Sequence, residues 1–289
     1  DVVSYNGLAI LTYIADYDND KSTVNDRDVF MQVYNFSENS FTHPIMVTTS
    51  KDVGERELSV GYSNGTAIMT YISDGTLYGV NVSNAAKNLK KYTINSKDYY
   101  VIDRTMAEAD QENVYQPPIK IAGKEAQLSK DTVEVEENTE ALTDEDMTIS
   151  DVNLKSTKNY IYAMWTQTET KVKEGIDETS EEAQEAKNRL VESQIYVMRF
   201  DNSTGTMTQP VQVTNGAGCN YSNLDYIVED GEAGAIKVLG LRAGTTVGDT
   251  EDASGEAIKY PTIDYDNQTL LELSFTPSST LTVQDVKVD

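Results

Sequence analysis

The chain has 289 residues, of which 38% are hydrophobic and 18 are tyrosine, enough for a packed core and too much for wholesale disorder. Asp and Glu number 48 against 23 Lys and Arg, a net charge of −25. A field of that sign repels phosphate backbones and anionic membrane surfaces and attracts cations, which sets nucleic-acid binding aside.

Cys219 is the one cysteine, so the chain holds no internal disulfide and no zinc site built on several thiolates. A free cysteine of this kind reads as a small buried hydrophobe. No secretory signal is visible, and no apolar run approaches the roughly 20 residues that a membrane-spanning helix needs. The chain opens at Asp1 in strand-like sequence, which reads as a fragment of something longer.

In chain order, the first unit opens with "SYNGLAILTY" at 4–13, a turn signal at Asn6-Gly7 followed by an apolar run long enough for a strand buried on both faces. "RDVFMQVYNF" at 27–36 then alternates with period two, and "FTHPIMVTT" at 41–49 predicts a third strand with Pro44 near its start, where a missing N–H is least harmful or suits an edge. The second unit repeats the theme. "GYSNGTAIMTY" at 61–71 places Asn64-Gly65 before another buried strand, and "SDGTLYGVNV" follows with Asp74-Gly75. Asn-Gly and Asp-Gly are strong hairpin signals, because both central residues of that turn need positive φ. "NLKKYTI" predicts the outer strand of this unit.

The pattern returns in the second half. "KNYIYAMWTQTE" at 158–169 matches the first buried strand, with Trp165 where Tyr13 stood. "ESQIYVMRFDNSTGTMTQPVQVTN" parallels "DRDVFMQVYNFSENSFTHPIMVTT", setting Ile195 to Val197 against Val29 to Met31, Phe200 against Phe36, and Pro210 against Pro44. "NYSNLDYIVEDGEAGAIKVLGL" opens a fourth unit. The organisation predicted is a two-blade block at 1–130, an acidic linker at 131–150, a second block at 151–275 and, at 276–289, an exit strand or linker to a following domain. Repeated four-stranded antiparallel meanders that cannot bury their faces alone point to an all-β, β-propeller-like array of about four blades. The alternative is a pair of β-sandwich domains. Neighbouring domains or a second chain would complete an array this short.

Asn-Gly, a buried strand ending in Trp or Tyr, and a closing "P-[IV]-x-V-T" together resemble the blade repeats of secreted Gram-positive bacterial surface proteins. "THPIMVT" and "TQPVQVT" keep the proline but lack the tryptophan that precedes it in that family. The resemblance implies an extracellular or cell-surface scaffold with no particular chemistry, engaging glycans or proteins.

Between the strands lie three insertions. One, at 105–125, turns at Pro117-Pro118 into a strand-like stretch; a second is the acidic linker; the third, at 169–194, predicts a solvated surface helix over 180–191 with Ser180 as N-cap.

For metal, "DYDNDKSTVNDRD" sets Asp16, Asp18 and Asp20 at alternate positions with Asp26 and Asp28 beyond, and "DYDN" recurs at Asp264 and Asp266. Alternating carboxylates suit Ca²⁺, although Lys21 and Arg27 stand where an EF-hand needs Gly and Glu. A solvated acidic hairpin loop is the other reading. For ligand binding, Tyr99, Tyr100 and Trp165 are candidates, since aromatic rings stack on sugars and anchor interfaces.

Catalytic machinery is thin. His43 is the sole histidine and has no nucleophile-elbow serine near it. "SDGTLY" at 73–78 resembles the Asp-box turn of sialidases, but its Ser–Asp spacing departs and Tyr78 replaces the tryptophan. "NGAGCN" at 215–220 lacks the lysine of a phosphate loop. The reading is a non-catalytic binding or scaffold module. The alternative is a carbohydrate-active hydrolase that uses two carboxylates in a central cleft.

Overall fold

A computed structural model describes residues 1–16, 27–48, 54–83, 89–94, 97–102, 119–122, 147–202, 206–229, 234–251, 255, 257–277 and 283–288. Among the described residues the chain is all-β, built of antiparallel meanders.

In the first sheet, β1 (Val2–Tyr5), β2 (Leu8–Ala15) and β3 (Asp28–Asn35) pair in chain order, with β4 (Ser40–Phe41) and β5 (Ile45–Met46) both on β3. The second sheet uses β6 (Arg56–Ser63), β7 (Thr66–Ser73) and β8 (Thr76–Asn81). Three tight hairpins connect these strands, and their central residues take the positive φ that the turn demands: Asn6 at 43° and Gly7 at 77°, Asn64 at 42° and Gly65 at 95°, Asp74 at 45° and Gly75 at 73°. The Asp-box-like "SDGT" is therefore the β7–β8 hairpin turn.

Two placements depart from expectation. "NLKKYTI" does form a strand, β9 (Leu89–Ile94), but it pairs with β10 (Lys97–Ile102), and β10 runs parallel to β5 at the margin of the first sheet. The outer strand of the second sheet is instead β11 (Ile119–Ala122), just past the Pro117-Pro118 stretch. Pro44 accordingly does not mark an edge. Its carbonyl accepts the Tyr100 N–H at 3.3 Å, while β5 lies between β3 and β10.

The third sheet orders β12 (Thr148–Ser156), β13 (Tyr160–Val172), β14 (Arg189–Asp201) and β15 (Thr206–Met207), with β16 (Val211–Gln212) also on β14. β12 begins inside the stretch predicted as linker. The register pairs Phe200 with Met207 as it pairs Tyr34 with Phe41, so Phe200 corresponds to Tyr34 and not to Phe36.

No α-helix forms over 180–191. Ser180 does cap, accepting the Ala183 N–H at 3.2 Å, but only two 3₁₀ turns follow, Glu181–Gln184 and Ala186–Asn188. Glu185 sits between them in extended geometry (φ −72°, ψ 127°), and β14 starts at Arg189. A single buried side chain in the first turn, Ala183, is too thin a stripe to hold a longer helix to the protein.

The fourth sheet runs β17 (Asn220–Val228), β18 (Ile236–Ala243), β21 (Thr269–Pro277) and β22 (Val283–Val288). Val283–Val288, within the stretch read as an exit strand or linker, pairs with β21 as the last strand of this sheet. Between β18 and β21 a separate two-stranded arm projects, β19 (Thr245–Glu251) and β20 (Ala257–Ile263).

Two compact units emerge. The first comprises Asp1–Glu137, Val152–Ala163 and Arg199–Met207; the second comprises Asn138–Asp151, Met164–Met198 and Thr208–Asp289. The core of the first brings Ile10, Val29, Met31, Ile45 and Val47 against Val60, Ala67, Met69, Tyr71, Val80 and Val82. Gly61 permits close approach there: a Cβ at that position would meet Ile161 Cγ2 at 2.7 Å and Ser156 Oγ at 3.0 Å.

The repeated motifs now acquire physical roles. The Thr of "P-[IV]-x-V-T" is a latch. Thr48 Oγ1 accepts the Val29 N–H at 2.9 Å and donates to buried Asp28 at 2.9 Å; Thr214 Oγ1 accepts the Ile195 N–H at 2.9 Å and donates to Gln194 at 2.7 Å. In β2, β7 and β13 an aromatic side chain stacks on one of the following strand: Tyr13 on Phe30 (5.6 Å), Tyr71 on Tyr78 (5.5 Å) and Trp165 on Tyr196 (5.9 Å).

Candidate binding cleft at the hairpin turns

Within the first unit, three turns from different sheets converge on an open cleft of about 470 Å³, lined by Asn6, Tyr62, Ser63, Asn64, Gly65, Thr157 and Lys158. Local sequence fixes each contributor. Asn6 and Asn64 lead their Asn-Gly turns, Tyr62 and Ser63 are the last two residues of β6, and Thr157 and Lys158 lie in the turn between β12 and β13.

Cross-turn hydrogen bonds hold the lining rigid. Tyr62 Oη accepts the Gly65 N–H at 2.8 Å and the Asn6 amide at 3.4 Å, and its ring stacks on Tyr5 at 3.8 Å. Ser63 Oγ donates to the Lys158 carbonyl at 3.0 Å. Asn202, just past β14, donates its amide to the Ser63 and Asn64 carbonyls at 2.6 and 3.0 Å. Burial, with the Tyr62 phenol beside it, pushes the Tyr5 hydroxyl above its ordinary pKa.

The lining holds amides, hydroxyls, one aromatic ring and one ammonium. None of the seven is Asp, Glu, His or Cys. Such a surface makes hydrogen bonds and stacking contacts. The Asn-Gly pairs read in the sequence as turn punctuation, and nothing local marks Tyr62 or Lys158; only the meeting of the three turns gives them a shared surface.

The residues singled out in the sequence lie elsewhere. Trp165 has no exposed surface and packs on Tyr196, so its ring is core and presents no face to a ligand, a correction to its candidacy. Tyr100 is half-buried and stacks on His43 at 4.9 Å, which gives the sole histidine a packing partner. The Tyr99 side chain, Asp18, Asp20 and Asp26 lie outside the described residues.

Asp16 ends the run after β2 and is half-buried, whereas Asp28 is fully buried under the Thr48 latch and faces no solvent loop. Asp264 accepts both its carboxylate bonds from the Asn267 amide, at 3.1 and 2.9 Å, and Asp266 is exposed in the 3₁₀ turn Tyr265–Asn267. Among the described residues, no three His, Cys, Asp or Glu side chains gather as a metal site would need.

No family model and no curated protein matches the chain. Among solved structures, a mutant α-L-arabinanase of Cellvibrio cellulosa is similar at 12% identity and a TM-score of 0.36, covering 92% of this chain and 76% of that one. An ulvan lyase, described as a new polysaccharide lyase family, is similar at 7% identity and a TM-score of 0.34, covering 99% and 82%. The same lyase bound to a glucuronic acid–rhamnose-3-sulfate chain matches at 8% identity with the same score and coverage. The fold assignment rests on the sheets described above.

Proposed function

We propose that this chain is a non-catalytic binding module whose turn-end cleft takes a neutral polar ligand, a glycan in the first instance. The observation that carries this reading is the composition of the cleft: a Tyr62 ring and four amide- or hydroxyl-bearing neighbours, Asn6, Ser63, Asn64 and Thr157, with no carboxylate or imidazole in the lining. Sugars present hydroxyls for the first set of groups and an apolar ring face for the aromatic. An extracellular setting as part of a larger bacterial surface protein fits this role, as the blade-like repeats suggested. Calcium in the loop that carries Asp16, Asp18 and Asp20 is a further element of the proposal.

Incubation with a glycan panel, reading both retained protein and released sugar, tests it. The expected outcome is retention without release, weakened about tenfold (about 1.4 kcal/mol) by Tyr62→Phe, which removes the hydroxyl and keeps the ring on Tyr5. Released sugar would replace this reading with hydrolysis by a carboxylate pair elsewhere. Retention unchanged in Tyr62→Phe and in Lys158→Ala would move the ligand away from this cleft.

A further inference from the structure

In the second unit, the β19–β20 arm is the feature that its own packing explains least. Its base is well made. Asp264 N–H donates to the Gly244 carbonyl at 2.9 Å, and Thr245 Oγ1 both accepts the Val191 N–H at 3.1 Å and donates to the Val191 carbonyl at 2.6 Å. Beyond that clamp the arm is a two-stranded ribbon that keeps large apolar groups in solvent on both faces, Val247 at 42% exposure on one and Ile258 at 45% and Tyr260 at 41% on the other. A lone two-stranded ribbon is marginal in water, and each of its margins presents unpaired backbone groups.

The surroundings are acidic. The arm packs on the 3₁₀ turn Ala186–Asn188, whose insertion carries exposed Glu174, Asp177, Glu178, Glu181, Glu182 and Glu185. The lysines of that insertion are engaged locally: Lys187 pairs with Glu185 at 2.6 Å, and Lys173 donates to the Lys187 carbonyl at 2.5 Å. On the arm itself, Asp249 lies opposite Lys259.

We infer that the arm and the acidic insertion form a docking surface for an extended, Lys- or Arg-rich polypeptide segment. Such a segment would add along the ribbon, place its apolar side chains against Val247, Ile258 or Tyr260, and direct its cations at the insertion carboxylates. Charge complementarity selects the occupant: an acidic or neutral strand would meet the same apolar groups but also the repulsion of the six carboxylates. The inference is independent of the turn-end cleft, which belongs to the first unit.

A labelled decapeptide alternating Lys and Val is the probe, with an alternating Glu and Val decapeptide as its counterpart. Fluorescence polarisation should show saturable binding of the first only. Replacing residues 247–261 with Asn-Gly keeps the Thr245 clamp and should weaken binding at least tenfold. Only four acids and one lysine leave with that segment, so the chain stays strongly acidic. The triple change Glu181→Lys, Glu182→Lys and Glu185→Lys should weaken it similarly with the arm intact. Undiminished binding to the arm-replaced protein, with its β-sheet circular dichroism unchanged, would show attraction to net charge alone and overturn the inference. So would absence of binding by the intact chain, or equal binding of the Glu peptide.

Discussion

Thr48 and Thr214 occupy the same place in two repeats, yet they hold different partners. Thr48→Val keeps the shape of the side chain but removes an acceptor for the Val29 N–H and a donor to Asp28, both buried. Thr214→Val does the same to the Ile195 N–H and to the neutral amide of Gln194. Leaving a buried group short of a partner costs about 1–3 kcal/mol, and more where the group is a carboxyl. Both variants should therefore melt lower, Thr48→Val by the larger margin, as thermal unfolding of the pair would show.

Glu192 sets a pH dependence at the same scale. Partial burial pushes its pKa up, but the Gly218 N–H, the Gln194 amide and Lys171 together outweigh that and hold it below its ordinary value. A carboxylate with a depressed folded pKa contributes stability above its unfolded pKa and loses it as pH falls through the folded one. Acid unfolding followed on Glu192→Gln should show a shallower loss of stability below the ordinary glutamate range than the parent.

The hairpins were the most legible elements, because Asn6-Gly7, Asn64-Gly65 and Asp74-Gly75 carry their conformation in two adjacent residues. Of the strands they join, β7 was legible for a similar reason, since 66–73 is largely apolar and both its faces are buried, whereas β2, expected to be buried on both faces, buries Ile10 and Thr12 and leaves their neighbours half-buried. What failed was non-local. Nothing near Leu89–Ile94 says that its partner β10 will run parallel to Ile45–Met46, since that choice depends on a contact distant in the chain. Propensity misled over 180–191, where good helix formers lacked an apolar stripe and β14 claimed the last three residues. The cleft was invisible for the same non-local reason, as its lining comes from turns in three sheets. Gly61 gives an element-scale test. Gly61→Ala places a methyl 2.7 Å from Ile161 Cγ2, an overpacking that costs about 1–3 kcal/mol, and Ile161→Leu in the same chain, which removes that γ methyl and keeps the volume, should recover part of the loss in melting temperature.

For the whole molecule, the charge of −25 acts on every element at once. Carboxylates crowded on one chain repel each other, and that repulsion is relaxed by unfolding, so the folded state gains from any ion that screens it. Raising NaCl from low ionic strength should therefore raise the melting temperature smoothly, with most of the gain complete by about 0.15 M, where the screening length is about 8 Å. Calcium separates two effects that both depend on carboxylates. Screening depends on ionic strength alone, whereas a bound ion stabilises by mass action and saturates at its own concentration. If the loop bearing Asp16, Asp18 and Asp20 holds Ca²⁺, micromolar to millimolar CaCl₂ should lift the melting temperature beyond NaCl of matched ionic strength, and EDTA should reverse it. Asp18→Asn with Asp20→Asn should abolish that extra increment and leave the NaCl response in place. A CaCl₂ curve that overlays the matched NaCl curve would assign the acidic loop to solvent, with its charge serving solubility.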